Sequence, residues 1–492
     1  MLEGGLLLLV TLSVMVAGMA LAAGEELVAV TSERQLLVDD FLIASAEGLT
    51  RRFHQPVKYE GNPVLTPSHP WEGTALFLNG SVLRDPETGL LRMYYCTYET
   101  PGAFLGLPRV SFVCLAQSQD GVHWDKPFLH NVTIKGSDEN NIVTEWPCCD
   151  LLQVTYDPHD PDSRRLWKLS VFQYDPRVWE YDTAAREGRT WEGPKPSHMG
   201  VCLYWSPDGL HHWVEGPKGV IPGAGDVTIA GWDAKRGKYV AYVKTGHEGK
   251  RARALAESED FVNWPEPKLI LHADEQDPED VELYSMEGWP YESLWLGYVR
   301  TFHAKTTYNV DTQLVYSRNG VDWSRTPGRP VFLPNGPEGA WDRGYHTMSN
   351  NPPLRMGDEL WIYYGSTNNT KKERPYVGGV GIAKLRVDGF ASVDAGEEEG
   401  VLTTRPLVLK GTRLCVNADA RGGQMTVEVV GTDGRASPGY EGEACRAITG
   451  DVPRQVVEWQ ERGDLDAVRD RPVVLRFRLR KARLYSFWTE VH

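Results

Sequence analysis

One short phrase occurs four times in the chain and restricts the fold more than any other feature. It consists of Ser-x-Asp or Ser-x-Asn, a turn residue that is usually Gly, and a Trp three or four residues later. The copies are Ser118–Trp124, Ser206–Trp213, Ser258–Trp264 and Ser317–Trp323. An Asp-Gly or Asn-Gly pair supplies the positive-φ residue of a tight turn, and Ser and Asp side chains can accept hydrogen bonds from the turn's N–H groups. The four copies therefore predict a repeat architecture of strands and tight turns.

Each repeat contains an earlier turn as well, so that it has four strands. These earlier turns are residues 85–89, 157–160, 233–237, 290–293 and, in a fifth copy without the Ser-x-Asp phrase, 357–358. The fifth copy closes with a degenerate turn at Asp388-Gly389-Phe390. Five four-stranded units with almost no helical periodicity predict an all-β fold, a five-bladed β-propeller.

The pattern of strands and turns changes at both ends of this repeat region. After residue 400 alternating strands continue without blade turns, which predicts a C-terminal β-sandwich. The expected order is a signal peptide at 1–23, an N-terminal extension packing on the propeller at 24–70, the propeller at 71–399 and the sandwich at 400–492. Residues 6–23 are apolar and end in Ala20-Leu21-Ala22, a small-x-small cleavage pattern. We therefore expect a secreted protein, periplasmic or extracellular, with an uncleaved anchor as the alternative.

Charge and cysteine content restrict the partners. The formal net charge of −15 argues against nucleic acid and against anionic membrane surfaces. Seven cysteines leave at least one thiol unpaired within the chain, and Cys415 with Cys445 is the most plausible disulfide. No cysteine spacing is typical of a zinc site, so we expect no bound metal there.

The geometry of a blade separates a structural face from a functional one. Strands alternate direction, so the short repeated turns share one face, and the second-to-third loops share the other with the starts of the inner strands. Long, dissimilar loops on a rigid scaffold usually carry function. Arg84-Asp85-Pro86 matches a catalytic tripeptide of some propeller glycosidases, but it occupies a repeated turn, so we interpret it as structural.

Three acidic residues start inner strands on the functional face and are the predicted catalytic groups. Asp150 stands six residues before Tyr156, and Asp226 stands six before Trp232, so the two are equivalent positions in adjacent blades. Glu282 is one residue out of step, which a β-bulge would absorb. Converging carboxylates suit cleavage of a glycosidic bond, because one protonates the leaving oxygen and another activates water or attacks carbon. The structural alternative is that each caps a strand or pairs with a cation.

Further residues of this face are candidates for binding a sugar. Charged and imidazole groups hydrogen-bond hydroxyls, and a Trp that opens a blade can stack on a sugar ring. The candidates are Lys244, His247, Arg300, His303, Trp71, Trp341, Asp342, Arg343 and His346. Polar loops are common on any surface, so a solvated or structural place is the alternative for each.

At these residues the chain resembles the five-bladed propeller glycoside hydrolases of families 32, 43 and 130. Asn62-Pro63-Val64-Leu65, Trp71-Glu72 and Asn79-Gly80-Ser81 are similar to the opening blade of the mannoside-acting family 130. The resemblance implies that Glu72 and Asn79 contact substrate and that Asp150 is the proton donor. A propeller followed by a sandwich also resembles family 32. The whole pattern looks most like secreted propeller proteins described as glycosyl-hydrolase-like.

Taken together, these features predict a secreted glycosidase that acts on an oligo- or polysaccharide. The alternatives are a glycoside phosphorylase, with Lys244, Arg300 and His303 holding phosphate, a sialidase, which would need six blades, and a non-catalytic carbohydrate-binding propeller. No cofactor is expected, and a Ca²⁺ ion in the funnel, as in some propeller glycosidases, is the open alternative.

Overall fold

A computed structural model describes residues 27–98, 100–101, 109–146, 149–175, 177–196, 198–460 and 462–491. The predicted signal peptide lies outside these residues. Among the described residues, no helix has the length and apolar character needed to cross a membrane. Two compact units make up the chain: Phe53–Phe390 is one, and the stretch up to Arg52 joins Ala391–His492 in the other.

The N-terminal strands divide between the two units. They are β1 Val28–Val30, β2 Gln35–Leu36, β3 Ile43–Glu47, β4 Leu49–Phe53 and β5 Val57–Lys58. Strands β1 to β4 belong to the sheet of the C-terminal unit, whereas β5 pairs with the last blade of the propeller. The expected extension at 24–70 is therefore wrong for its first half, because short strands without a core of their own complete existing sheets.

The larger unit is the predicted five-bladed propeller, built from mainly antiparallel sheets, with the first and fifth blades joined in one sheet. The first two blades contain β6 Ala75–Arg84, β7 Leu91–Tyr98, β10 Val113–Ser118, β11 Cys149–Tyr156, β12 Trp167–Tyr174, β13 His198–Ser206 and β14 Val214–Glu215. Strands β8 Thr100–Pro101 and β9 Arg109–Val110 pair with each other in a separate two-stranded sheet. The third and fourth contain β15 Ile229–Asp233, β16 Lys238–His247, β17 Lys250–Ser258, β18 Lys268–Leu271, β19 Val281–Tyr291, β20 Leu294–His303, β21 Val310–Ser317, β22 Trp323–Arg325 and β23 Val331–Leu333. The fifth contains β24 Thr347–Met348, β25 Leu354–Met356, β26 Glu359–Thr367 and β27 Gly378–Arg386.

The second strands of several blades are buried along most of their length. Strand β12 is buried at every position, and β20 is buried except at its last residue. Such continuous burial arises because both faces of a blade pack against neighbouring blades, and in β12 it encloses the polar side chains of Lys168, Ser170 and Gln173 as well as apolar ones. The outer strand β5 joins β27, with Lys58 opposite Ala383, so residues from before the first blade complete the last one.

The repeated turns are structural, as predicted. In the first copy the Ser118 hydroxyl accepts from the Gly121 N–H at 2.8 Å, and Asp120 accepts from the Val122 and His123 N–H groups at 2.8 Å each. The Trp124 indole donates to the Gly121 carbonyl at 3.0 Å. In the third copy a non-glycine residue, Phe261, takes the positive-φ position at 68°.

The two classes of turn share a face, as the alternation of strands requires. Arg92, which pairs with Asp85 of the first hairpin turn, donates to the Asp208 carbonyl in the next blade's Ser-x-Asp turn at 2.5 Å. Tyr94 also reaches this turn, at the Gly209 carbonyl. Asp85 therefore serves to hold neighbouring blades together.

One helix was not predicted. The excursion after β12 contains α1 Val178–Arg186, and a 3₁₀ turn spans Ser163–Arg165. The helix is short and rich in charged residues, so its apolar period is too weak to be recognised in the sequence.

The C-terminal unit is a folded sheet around one hydrophobic core. Its strands after the propeller are β28 Ala391–Ala395, β29 Gly400–Thr404, β30 Leu407–Leu409, β31 Arg413–Gly431, β32 Ile448–Val456, β33 Pro472–Arg480 and β34 Ala482–Glu490. The long strand β31 pairs with β34 through its first half and with β33 through its second. The predicted Cys415–Cys445 disulfide is wrong, because both residues are buried free thiols.

Candidate active site

The predicted carboxylates Asp150 and Asp226 act on the same two phenols. The Tyr174 hydroxyl donates to Asp150 Oδ2 at 3.2 Å. Burial together with the charges of Asp150 and Asp226 raises the pKa of Tyr174, and the same two charges add to the effect of burial on the pKa of Tyr284. Tyr174 ends β12, which packs beside β15, the strand that Asp226 precedes.

β-Bulges turn the inner strands at the positions that carry polar groups. Pairing of β11 with β12 shifts between Cys149 and Leu152, where Asp150 lies. Pairing of β6 with β7 shifts between Phe77 and Ser81, around Asn79. A bulge changes the direction of a side chain, and bulges are common beside active sites.

Asp226 is held as a carboxylate by a cation from the neighbouring strand. Its Oδ1 forms an ion pair with the Lys244 ammonium. Burial acts to raise the pKa of Asp226, but the charge and hydrogen bond of Lys244, together with Lys371 and Tyr174, lower it overall. Burial and the charges of Asp150 and Asp226 raise the pKa of Tyr174, so this phenol keeps its proton.

A buried polar chain supports Asp150 from the other side. Asn79 donates to Asp150 Oδ1 at 3.2 Å and accepts from Arg300 at 3.0 Å. Arg300 in turn pairs with Glu287 at 3.0 Å, and both side chains are completely buried. Burial raises the pKa of Glu287, although Arg300 opposes the shift. Asn79 is thus beside the site as the resemblance implied, and Arg300 acts on Asp150 through it.

Glu282 joins the site through its ion pair with Arg251. Its Oε2 pairs with Arg251 at 2.5 Å, and the Arg251 guanidinium lies 5.7 Å from the centroid of the Tyr284 ring. Pairing of β19 shifts between Leu283 and Ser285, which confirms the bulge expected after Glu282. The pair orients Arg251 toward the aromatic wall of the site.

Sequence reasoning missed Lys371, which stands in the second-to-third loop of the fifth blade. Its ammonium lies 3.8 Å from the centroid of Tyr284 and 4.5 Å from that of Tyr345, and it donates to the Tyr284 hydroxyl. Burial lowers the pKa of Lys371 to about 7, with Arg251 and Lys244 acting in the same direction and Asp226 and Asp150 against it. The second-to-third loops were expected to carry function, and Lys371 lies in one of them. It was passed over because the run Lys371-Lys372-Glu373-Arg374 is typical of a solvated surface.

The structure gives Glu72 a structural place, against the substrate contact that the resemblance implied. Its side chain is 0% exposed and accepts from the Ser68 and His69 N–H groups, the Tyr95 hydroxyl and Lys126. A carboxylate with this many protein donors has little capacity left for a ligand. Trp71 stacks on His69 at 4.5 Å and donates to Asn141 at 2.8 Å, so it anchors the start of the first blade.

The candidates of the fifth blade make protein contacts of their own. Asp342 is buried and pairs with Lys58 of β5 at 2.6 Å, and it accepts from Tyr364 at 3.0 Å. Trp341 stacks on Tyr364 at 5.6 Å. The buried ring of His346 approaches the Asp342 carbonyl at 3.3 Å, and burial lowers its pKa to about 4. This cluster fastens the outer strand of the last blade.

The other loop candidates lie in separate pairs. Arg343 bonds Glu338 at 2.7 Å and Glu373 at 2.8 Å. The His247 ring lies 4.4 Å from that of His272, with the two ring planes tilted by 42°. His303 bonds Asp311 at 3.0 Å, and this hydrogen bond raises the pKa of the imidazole despite partial burial. Lys244 and Arg300 are therefore the two predicted loop cations that contact the central network.

No cluster of three or more His, Cys, Asp or Glu side chains suited to a metal ion occurs among the residues that the structure describes. The expectation of a Ca²⁺ ion in the funnel stays a prediction.

Comparison with known proteins finds similar solved structures but no matching family model and no matching curated protein. A β-1,2-mannobiose phosphorylase from Listeria innocua has a TM-score of 0.45 and 14% identity, over 68% of this chain and 97% of that one. A glycosyl hydrolase from Bacteroides ovatus has a TM-score of 0.43 and 14% identity, over 68% and 94%. An N-acetylgalactosamine deacetylase from F. plautii has a TM-score of 0.41 and 15% identity, over 71% and 96%. These proteins have different activities, so the function of this chain has to be sought in its own side chains.

Proposed function

We propose that this protein is a glycosidase whose working groups are Asp150 and Asp226. The observation that carries the proposal is that both acids act on one phenol: the Tyr174 hydroxyl donates to Asp150 at 3.2 Å, and the charges of Asp150 and Asp226 both raise its pKa. Two carboxyl groups that converge on one point of a propeller face suit cleavage of a glycosidic bond, which needs one protonated acid and one ionised carboxylate.

The chemistry assigns opposite roles to the two acids. Lys244 keeps Asp226 ionised, which suits the basic partner at the anomeric carbon. Asp150 is the proton donor in this proposal. As the glycosidic C–O bond breaks, the leaving oxygen takes the proton of Asp150, and overall the hydroxyl of one water ends on the anomeric carbon while its proton restores the acid. Asn79 and Tyr174 hold Asp150 in place for this transfer.

Glu282 has a supporting role in the same proposal. Its partner Arg251 stands beside Tyr284 and Phe302, at 5.7 and 5.5 Å from their ring centroids. A guanidinium held in this way can donate to sugar hydroxyls, with the aromatic rings alongside for the apolar face of the sugar.

The observed pairs favour hydrolysis over phosphorolysis. Each of the three cations considered for phosphate has a carboxylate partner: Lys244 has Asp226, Arg300 has Glu287, and His303 has Asp311. A phosphate would have to compete with these carboxylates. The five blades do not match the six that a sialidase would need.

We also propose that the enzyme acts outside the cytoplasm. The apolar leader supports this, and N-terminal sequencing of secreted protein would test it.

The test is a screen of purified protein against oligo- and polysaccharides, with release of reducing ends measured with and without phosphate. We expect release that does not require phosphate and that falls by about 10²-fold or more in Asp150→Asn and in Asp226→Asn. Asp433→Asn, in a hairpin of the C-terminal unit, is the matched control and should keep full activity. Binding of glycan without turnover would favour a carbohydrate-binding propeller and defeat the proposal, as would wild-type rates in both funnel variants.

A further inference from the structure

A groove of 730 Å³ lies between the first and second blades, apart from the residues that contact Tyr174's hydroxyl. One wall consists of residues 129–132 and 143–146, and the other of Tyr204 and residues from 211 to 218. Its volume is in the range of pockets that hold small organic ligands. Nothing in the proposed reaction uses this groove.

The two walls are fixed to each other, and the one lysine of the lining is already paired. Asn131 of the first wall donates to the Leu210 carbonyl at 2.8 Å, at the edge of the second. Lys218 pairs with Glu215 at 2.5 Å and lies 5.4 Å from the ring of Trp146 on the opposite wall. The lining also contains Glu145, so this preformed groove disfavours an anionic ligand.

Two polar atoms in the lining are buried without a hydrogen-bond partner among the described residues. They are the hydroxyl of Thr144, which is 4% exposed, and the indole N–H of Trp213. A buried polar atom left unsatisfied is costly, so a ligand that reaches it and supplies a partner gains binding energy. Both atoms belong to residues of the same groove, one on each wall.

We propose that this groove is a second carbohydrate site, which binds a neutral oligosaccharide. Sugar hydroxyls both donate and accept, so they can satisfy the Thr144 hydroxyl and the Trp213 N–H, while the C–H face of a ring packs on Trp146 or Trp213. An acidic ligand would lack a counter-ion, because Lys218 is already paired with Glu215 and the lining adds the further acid Glu145. The Trp146 indole also donates to the Tyr174 carbonyl at 3.0 Å, so a glycan in the groove contacts the residue that anchors Tyr174. The choice of ligand class rests on the proposed glycosidase function.

Affinity electrophoresis of the full chain tests this inference. The protein carries Asp226→Asn so that the gel polysaccharide stays intact, and the probes are mannan, xylan, mixed-linkage glucan and the acidic polygalacturonate. We expect at least one neutral polysaccharide to retard the protein and polygalacturonate to leave its mobility unchanged. Failure of every neutral probe, or retardation by polygalacturonate alone, would overturn the inference.

A pair of matched variants locates the binding. Thr144→Val should weaken retention about threefold to tenfold, because it removes one hydroxyl from the groove. Thr312→Val removes a hydroxyl that is equally buried and unpartnered but lies in the fourth blade, so it should leave retention unchanged. Neither change should lower the melting temperature, since no hydrogen bond is lost. Equal retention in both variants would exclude the groove.

The same gels separate this inference from the proposed glycosidase function. Retention that depends on Thr144, in a protein that releases no sugar from any substrate, would defeat the glycosidase proposal and leave the groove as a binding site. Sugar release by the wild-type protein, without any retention that depends on Thr144, would overturn the groove proposal and leave the glycosidase proposal standing.

Discussion

The ammonium of Lys371 lies 3.8 Å from the centroid of the Tyr284 ring and donates to that residue's hydroxyl. Tyr345 and Phe302 lie 4.5 and 5.4 Å from the same nitrogen. Three aromatic rings stabilise the cation only partly, and they exclude water from it. The loop of the fifth blade therefore brings a lysine with a lowered pKa beside the carboxylates of the second and third blades.

The lowered pKa predicts how Lys371 affects stability as pH changes. The folded-state value of about 7 is below the value near 10.4 of an unfolded lysine. Between these values the unfolded chain binds a proton that the folded chain does not, so this group makes the folded state more stable as pH rises. The free energy of unfolding of wild type, minus that of Lys371→Met, should increase between about pH 7 and pH 9, measured by urea denaturation.

The neighbouring Lys372 provides the control for this experiment. It is exposed, and Lys372→Met should give a difference that does not change with pH. A flat curve for Lys371→Met as well would show that Lys371 is not enclosed as described.

The ion pair of Lys244 with Asp226 predicts a change in the pH–rate profile. Removing the ammonium in Lys244→Met removes the main charge that lowers the pKa of Asp226. Asp226 then takes up its proton at higher pH, so the acid limb of kcat/KM should move upward by about one unit or more. Lys238→Met, which removes a surface lysine paired with Glu257 and Glu259, should leave the limb in place. An unmoved limb in Lys244→Met would exclude Asp226 as the basic group.

The hydrogen bond from Tyr174 to Asp150 predicts that Tyr174→Phe is a catalytic rather than a stability variant. The ring still fills its buried place, but Asp150 loses the donor that orients it. We expect kcat/KM to fall by about 10- to 100-fold, with little change in melting temperature. Tyr298→Phe is the matched control, because the Tyr298 hydroxyl is buried without a hydrogen-bond partner among the described residues. Similar losses of rate in both variants would contradict a special role for Tyr174.

Most of the propeller could be predicted because its repeats are short and local. A turn such as Ser118–Trp124 is set by side chains two or three residues from the backbone groups that they bind. The local sequence is therefore enough to predict the turn. The pairing of β1 to β4 with the C-terminal sheet could not be predicted, because it joins residues about 400 positions apart. Helix α1 was missed because it is only nine residues long and three of them are charged, so its apolar period is weak.

Part of the site could be predicted, because the repeats show which positions of adjacent blades are equivalent. Asp150 and Asp226 were found because equivalent positions of adjacent blades converge near the axis. Tyr174, which donates to Asp150, and Lys371, on which the charges of both acids act, come from a strand end and a loop whose direction is set by packing of distant blades. Glu72 was misassigned because two of its four donors, Tyr95 and Lys126, lie elsewhere in the sequence, and the side chain is completely buried.

The turn residue Asp85 gives the sharpest contrast between structural and catalytic acids. Its carboxylate pairs with Arg92, and both side chains are about 95% buried, with 5% of Arg92 and 4% of Asp85 exposed. Asp85→Ala leaves Arg92 buried without its counter-ion, so the free energy of unfolding should fall by about 3–5 kcal/mol. The folded fraction should keep the wild-type kcat/KM, because Asp85 lies on the face opposite Asp150.

Asp150→Asn should behave in the opposite way, with a nearly unchanged melting temperature and a rate about 10²-fold lower. The isosteric Asp85→Asn keeps the turn hydrogen bonds to the Glu87 N–H and Thr88, and it is the variant to measure if Asp85→Ala does not fold. Denaturation curves and kcat/KM per folded molecule check both variants. If Asp85→Asn abolished turnover in well-folded protein while Asp150→Asn did not, the catalytic face would be the one that carries the repeated turns.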